Sequence, residues 1–230
     1  MAGVITREEV SRVSAAPAAA ASRKYATEAI GAFFLTFTVV ACGLLGSVFT
    51  PLAAGAALMV MVYAGGHISG GHYNPAVTMA ALWRGAIDKS DAAAYWVAQL
   101  AGGVIAGVVA RAIINPATVR TLSLSGHAFI AAALVELLFT FALGYVVLNV
   151  ATSKDQKGNQ FFGLAIGFTI AAGAFAVGGV SGGAFNPAVT LGAAMGGLFA
   201  FPTLWVYFVV QLGAGALAGL AYRALNPGDR

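Results

Sequence analysis

Two ten-residue phrases hold the side chains with chemistry to offer. They are Ser69-Gly70-Gly71-His72-Tyr73-Asn74-Pro75-Ala76-Val77-Thr78 and Ser181-Gly182-Gly183-Ala184-Phe185-Asn186-Pro187-Ala188-Val189-Thr190. Their asparagines lie 112 residues apart, and at that offset 66–80 and 178–192 agree at nine of fifteen positions. In each phrase a glycine-rich stretch, poor as a helix interior, runs into Asn-Pro, a helix start. The asparagine oxygen accepts from the free N–H groups of the first turn, and its amide nitrogen remains a donor. A helix N-terminus also carries roughly half a positive charge. Such a site offers donors and positive potential to the oxygen of a neutral molecule and repels cations. No close nucleophile–base pair, phosphate loop or carboxylate cluster accompanies it, so catalysis is not expected and no cofactor is implied.

The elements that position these phrases are apolar. The chain of 230 residues is 60% hydrophobic and 9% charged, against about 25% charged in an ordinary soluble domain. Ala29–Phe49 is uncharged over 21 residues, enough to cross a hydrocarbon core of about 30 Å. The pattern predicts an all-α membrane protein. Spans are expected near Thr27–Phe49, Pro51–Ala64, Ala92–Ile114, Ala128–Val150, Phe161–Val177 and Thr203–Leu225. Half-helices are expected over Asn74–Gly85 and Asn186–Gly197, each about 18 Å long. Asn115-Pro116 and Asn226-Pro227 read as helix stops.

Residues 1–24 carry Arg7, Glu8, Glu9, Arg12, Arg23 and Lys24 around an Ala/Ser-rich patch without an apolar signal core. They are expected to form a disordered or surface-lying tail. The repeats then cover about 25–117 and 128–226. Three spans per copy make the second copy inverted relative to the first, with the functional site where the two meet near mid-membrane. With both termini cytoplasmic, ten Lys and Arg fall inside and only Arg111 and Arg120 outside, which fits the positive-inside rule. Basic residues thus report topology rather than nucleic-acid binding. The single Cys42 cannot form an intrachain disulfide.

The paired Ser-Gly-Gly-x-x-Asn-Pro-Ala-Val-Thr phrases, the six spans, and Tyr95-x-x-x-Gln99 with Tyr207-x-x-x-Gln211 together resemble the aquaporin (major intrinsic protein) family. The resemblance covers about residues 25–226. It implies a bundle of six transmembrane helices plus two re-entrant half-helices, one pore per chain, and a homotetramer in a cell membrane. It also implies a pore midpoint at Asn74, Pro75, Ala76, Asn186, Pro187 and Ala188. Glu28 and Glu136 are expected to hydrogen-bond the re-entrant loops, and His67 and His72 to fix loop structure rather than bind metal.

This sequence departs from the family where an arginine usually follows the second Asn-Pro-Ala, because Val189 stands there. Counting from the asparagines, the resemblance puts the remaining filter positions at Ala54, Ala174 and Gly183. Four small apolar residues predict a wide filter that passes water and larger neutral solutes such as glycerol, urea or ammonia. Thr190, Ala194 and Trp205 follow the water-channel pattern instead, so a strictly water-selective channel is the alternative. A secondary transporter, which also uses inverted repeats, is the rival from another class; Glu28 and Glu136 are its only candidate coupling groups.

Overall fold

The computed structural model describes residues 7–229, with side chains described from residue 21 onward. Eight α-helices follow in order: α1 (Arg7–Leu44), α2 (Thr50–Ser69), α3 (Pro75–Arg84), α4 (Lys89–Ile114), α5 (Gly126–Val147), α6 (Phe162–Ser181), α7 (Pro187–Met195) and α8 (Leu204–Leu225). A π-helical turn, Leu148–Thr152, prolongs α5. Among the described residues there is no strand, only an isolated bridge between Leu122 and Phe199. Six of the helices are long and apolar enough to cross a membrane, beginning with Ala21–Leu44. The two short ones, α3 and α7, are the half-helices.

Two expectations change. Residues 7–24, read as a tail, continue α1 as helix, while residues 1–6 lie outside the described residues. The second and fifth spans do not stop at Ala64 and Val177 but run through further glycines to Ser69 and Ser181, where Gly70 and Gly182 close them at φ 90° and 87°. A glycine costs a helix about 1 kcal/mol, whereas an unbonded backbone group in hydrocarbon costs several. The helix therefore continues until a glycine can turn it.

The repeats interlock. Half-helix α3 of the first repeat packs on α8 of the second, and α7 of the second packs on α4 of the first. Glycines let the backbones touch. A methyl group on Gly103 or Gly107 of α4 would overlap the carbonyl oxygens of Ala188 and Gly192 on α7. On Gly215 or Gly219 of α8 it would overlap those of Ala76 and Ala80 on α3. Gly55 of α2 and Gly167 of α6 each present the same obstacle to the other. Small residues that allow such approach are the usual basis of helix packing in lipid.

The C-terminal end of α3 is tied to the end of the described chain. Arg84 donates through Nε to Thr152 Oγ1 at 2.7 Å and through Nη2 to Asp229 Oδ1 at 3.1 Å. Asp229 Oδ2 also accepts from the Tyr222 hydroxyl at 2.7 Å and the Lys154 N–H at 2.8 Å. These bonds clamp the Ser153–Gln160 loop against the C-terminal segment. The Tyr222 hydroxyl, then the Lys154 N–H and the Arg84 charge, hold the Asp229 carboxyl well below the usual carboxylate range. A carboxyl depressed on folding stabilises fully above its unfolded pKa, about 3.9, and loses that contribution as pH falls toward the folded value. Hydrogen exchange of residues 153–159 in the wild type is therefore expected to rise only below about pH 4. In Asp229→Asn it should already be raised at pH 7, and an unchanged exchange rate in that variant would refute the clamp.

Candidate functional site

The two half-helices meet head to head. Asn74 caps α3 by accepting from the Ala76 N–H at 2.8 Å, and Asn186 caps α7 by accepting from Ala188 at 2.9 Å. Each amide then reaches across: Asn74 Nδ2 donates to the Phe185 carbonyl at 2.9 Å, and Asn186 Nδ2 to the Tyr73 carbonyl at 3.0 Å. A side-chain amide has two N–H groups. The oxygen and one N–H are spent on structure, which leaves one N–H on each asparagine for a passing molecule. Both asparagines line a narrow cavity between the repeats. Pro75, Ala76, Pro187 and Ala188, expected beside them at the midpoint, are buried but do not line it. Their task is packing: the Ala76 and Ala188 carbonyls rest on the glycines of α8 and α4, and the Pro75 carbonyl accepts from Trp96 Nε1 at 3.0 Å.

The cavity wall is otherwise mostly apolar, with Leu58, Val77, Leu143, Ile166 and Ile170 among its side chains. The loop backbones of Gly71-His72 and Gly183-Ala184 also face it. Their N–H groups point away: His72 and Ala184 donate to Glu28 and Glu136, and Gly71 and Gly183 to the hydroxyls of Ser69 and Ser181. The lane thus offers backbone acceptors on either side of two central amide donors.

Of the four filter positions, Ala54, Gly183 and Val189 line the cavity and Ala174 does not. Ala174 lies behind Gly183, where a methyl group on Gly183 would come within 3.3 Å of its Cα. Ile170, one turn earlier on α6, takes the place facing the lane. Val39 of α1 lines both the lane and the vestibule beyond Val189. With these branched side chains added, the lane has about 20 Å³ of open volume, against about 440 Å³ in the vestibule on the Arg120 face and about 350 Å³ in one on the Lys24 face. One water needs about 10–15 Å³ on the same measure. Val39 and Ile170 thus join the small residues Ala54, Gly183 and Val189 in the wall, which is bulkier and more apolar than the four expected positions alone would make it.

Comparison with known proteins agrees with this geometry. The family description "Major intrinsic protein" matches residues 15–222. The chain belongs to the major intrinsic protein family. It is 37% identical over 220 residues to "Glycerol uptake facilitator protein-like 6" of Lactiplantibacillus plantarum, covering 90% of this chain and 100% of that one. It is 36% identical over 207 residues to "Aquaporin NIP2-1" of Oryza sativa subsp. japonica, covering 86% and 68%. With "Aquaporin TIP1-2" of Zea mays it shares 38% over 190 residues, covering 80% and 73%. The aquaglyceroporin of Plasmodium falciparum has the same fold, with a TM-score of 0.74 at 22% identity over 88% of this chain and 95% of that one.

In this member of the family the two loops hang from buried carboxylates. Glu28 Oε1 accepts from Ser69 Oγ at 2.7 Å and the His72 N–H at 3.0 Å; its Oε2 accepts from the Tyr73 N–H at 2.6 Å and Gln99 Nε2 at 2.7 Å. Glu136 repeats the set with Ser181, Ala184, Phe185 and Gln211 at 2.7–3.0 Å. Tyr95 and Tyr207 add a bond each, donating to the Ser69 and Ser181 carbonyls at 2.6 Å. Sequence reasoning noted Tyr95, Gln99, Tyr207 and Gln211 only as part of a resemblance. It missed Tyr73 and Phe185 altogether. These buried aromatics sit at φ 49° and 48°, a left-handed backbone that costs of order 1–3 kcal/mol for such residues. That turn sends each N–H to a glutamate and each carbonyl to the opposite asparagine. The signal was available, since each stands between the glycine pair and the asparagine in both phrases.

The two histidines part company. His72 Nδ1 lies 3.0 Å from Thr78 Oγ1, and His72 is among the residues that line the lane. His67 is exposed on the last turn of α2, bordering a separate cavity near the Ser153–Gln160 loop, and among the described residues its side chain makes no hydrogen bond to a loop. No metal-binding group of His, Cys, Asp or Glu occurs among the described residues.

Proposed function

We propose that this chain is a passive membrane channel for water and small uncharged solutes, with the pair Asn74 and Asn186 as its central donors. The observation that carries the reading is the single free N–H left on each asparagine where two helix N-termini converge. A solute oxygen can bond both, and a water so held turns its hydrogens outward toward the backbone acceptors on either side. That orientation interrupts a continuous proton-conducting chain. Two half-charges about 5 Å from an ion, at an effective dielectric of about 20, raise a monovalent cation by about 3 kcal/mol. Stripping the ion of water in the apolar lane adds several kcal/mol per ion, so desolvation is the larger barrier and the dipoles add to it.

Coupled transport finds less support. Each oxygen of Glu28 and Glu136 already accepts two donors, which leaves neither carboxylate free to bind a coupling ion. The proposed orientation has both chain ends in the cytoplasm, which puts Lys24, Arg84, Lys154 and Lys157 inside and Arg120 outside. The family pattern further supports a homotetramer with one pore per chain, which cross-linking in native membranes tests.

Stopped-flow light scattering on proteoliposomes tests the channel. Shrinkage in an impermeant osmolyte is expected to be accelerated at least tenfold over empty vesicles. Re-swelling in glycerol or urea should be slower than shrinkage, as the narrow lane requires. Equal rates for water and glycerol would refute the narrow lane, and no acceleration at all would refute the channel.

A further inference from the structure

The vestibule on the Arg120 face leads solutes to Val189, and its wall is short of side-chain donors. Thr50, Arg120, Thr121 and Ser123 are the hydrogen-bonding side chains that line it. Thr50 is spent on the Ser47 carbonyl at 2.6 Å and Thr121 on the Gly197 carbonyl at 2.8 Å. No carboxylate lines this space, and Arg120 has no hydrogen-bond or ion-pair partner among the described residues. Ser123 likewise has no hydrogen-bond partner among the described residues, so its one O–H and the five N–H groups of Arg120 are the free side-chain donors of the entrance, Arg120 holding the larger share.

The loop that carries Arg120 is held in place. The Leu122 N–H donates to the Leu198 carbonyl at 2.7 Å, and the Ala200 N–H to the Leu122 carbonyl at 3.0 Å. With the Thr121 bond, three hydrogen bonds fix the two residues after Arg120 to the segment following α7. Val119, just before it, packs on the core. The backbone beside Arg120 is thereby held at the vestibule, and Arg120 lines that space together with Val189 and three glycines, Gly178, Gly179 and Gly182.

We propose that Arg120 is a specificity-determining residue of the entrance, the donor that receives oxygen-bearing solutes as they leave bulk water. This rests on the channel reading above. A polyol or urea entering the lane must exchange bonds to water for bonds to the wall. The lane's outer end supplies acceptors, the carbonyls of Gly183 and Ala184, beside apolar Ala54 and Val189. Arg120 supplies the missing complement from a different element, the α4–α5 loop, for solutes with carbonyl or hydroxyl oxygens. Water, small and able to cross in single file, depends on it far less.

The test measures water, urea and glycerol permeability in proteoliposomes for wild type, Arg120→Ala and Arg120→Lys. Arg120→Ala is expected to lower urea and glycerol permeability about tenfold, the loss of one charge-assisted hydrogen bond, with water within about twofold. Arg120→Lys retains donors and should keep most of the solute flux. The unchanged water flux shows that each variant is folded and open. Equal changes in water and solute flux, or an alanine variant that passes urea like the wild type, would overturn the proposal. So would a wild type that passes water but neither solute. A wild type that passes none of the three refutes the channel itself.

Discussion

Glu136→Ala is expected to eliminate both the folded channel and its water flux. The substitution leaves Ser181 Oγ, the N–H groups of Ala184 and Phe185, and Gln211 Nε2 without their acceptor in a fully buried site. Each donor left unsatisfied costs about 1–3 kcal/mol, so four of them cost roughly 4–12 kcal/mol. Total stabilities of about 5–15 kcal/mol cannot absorb that. Glu136→Gln is the graded comparison. It keeps one acceptor oxygen, and Gln211 can turn its amide to present oxygen to the new NH2 group. The glutamine variant should therefore fold with a lowered melting temperature. Thermal unfolding in detergent, paired with water flux, checks both. An alanine variant that melts with the wild type would mean that the second loop does not hang from this carboxylate.

Gly215→Val should separate α8 from half-helix α3 and close the pore. Even a methyl group at Gly215 collides with the Ala76 carbonyl, which is backbone and cannot rotate aside. Overpacking a tight contact costs about 1–3 kcal/mol or more when side chains can yield; here the helices themselves must part. Because the Asn74 cap accepts from the Ala76 N–H, that displacement moves the central donor. Gly215→Ala should already cut water flux severely, and Gly215→Val should remove it. Gly213→Ala on the same helix is the control, since nothing lies within 4 Å of a methyl group there. A valine variant with wild-type flux would show that α3 tolerates a shift at its first turn.

These residues also show what a sequence can and cannot tell. Asn74-Pro75 and Asn186-Pro187 announced the half-helix starts because capping is local chemistry, decided within four residues. The glycines at 103 and 107 recur at 215 and 219, but nothing local names their partners, since no local rule says which helix fills a groove. The fourth filter position failed for a related reason. Counting from a motif fixes distance along the chain, not rotation about α6, and a turn separates Ala174 from Ile170. Val39 was invisible for want of any motif to count from. The Arg84–Asp229 clamp spans 145 residues, and its members look in sequence like ordinary interfacial charges.

The contacts between the halves obey an arithmetic of their own. Gly103 meets Ala188 while Gly215 meets Ala76, Gly107 meets Gly192 while Gly219 meets Ala80, and Asn74 reaches the residue before Asn186 just as Asn186 reaches the residue before Asn74. Adding 112 to the first-repeat member of each contact, and subtracting it from the second, returns the other contact. Gly55 and Gly167 map onto each other, so the pseudo-axis passes between them. This is an isologous interface, the kind that joins the two subunits of a symmetric dimer, here closed within one polypeptide. The shared positions build the pore, and polarity enters only where the copies differ. His72 answers to Ala184 and Thr78 to Thr190, but only the first repeat has a histidine on the lane, bonded to its threonine. Within one polypeptide each half can differ from the other, and the two mouths of the channel are chemically distinct on a frame that treats them alike.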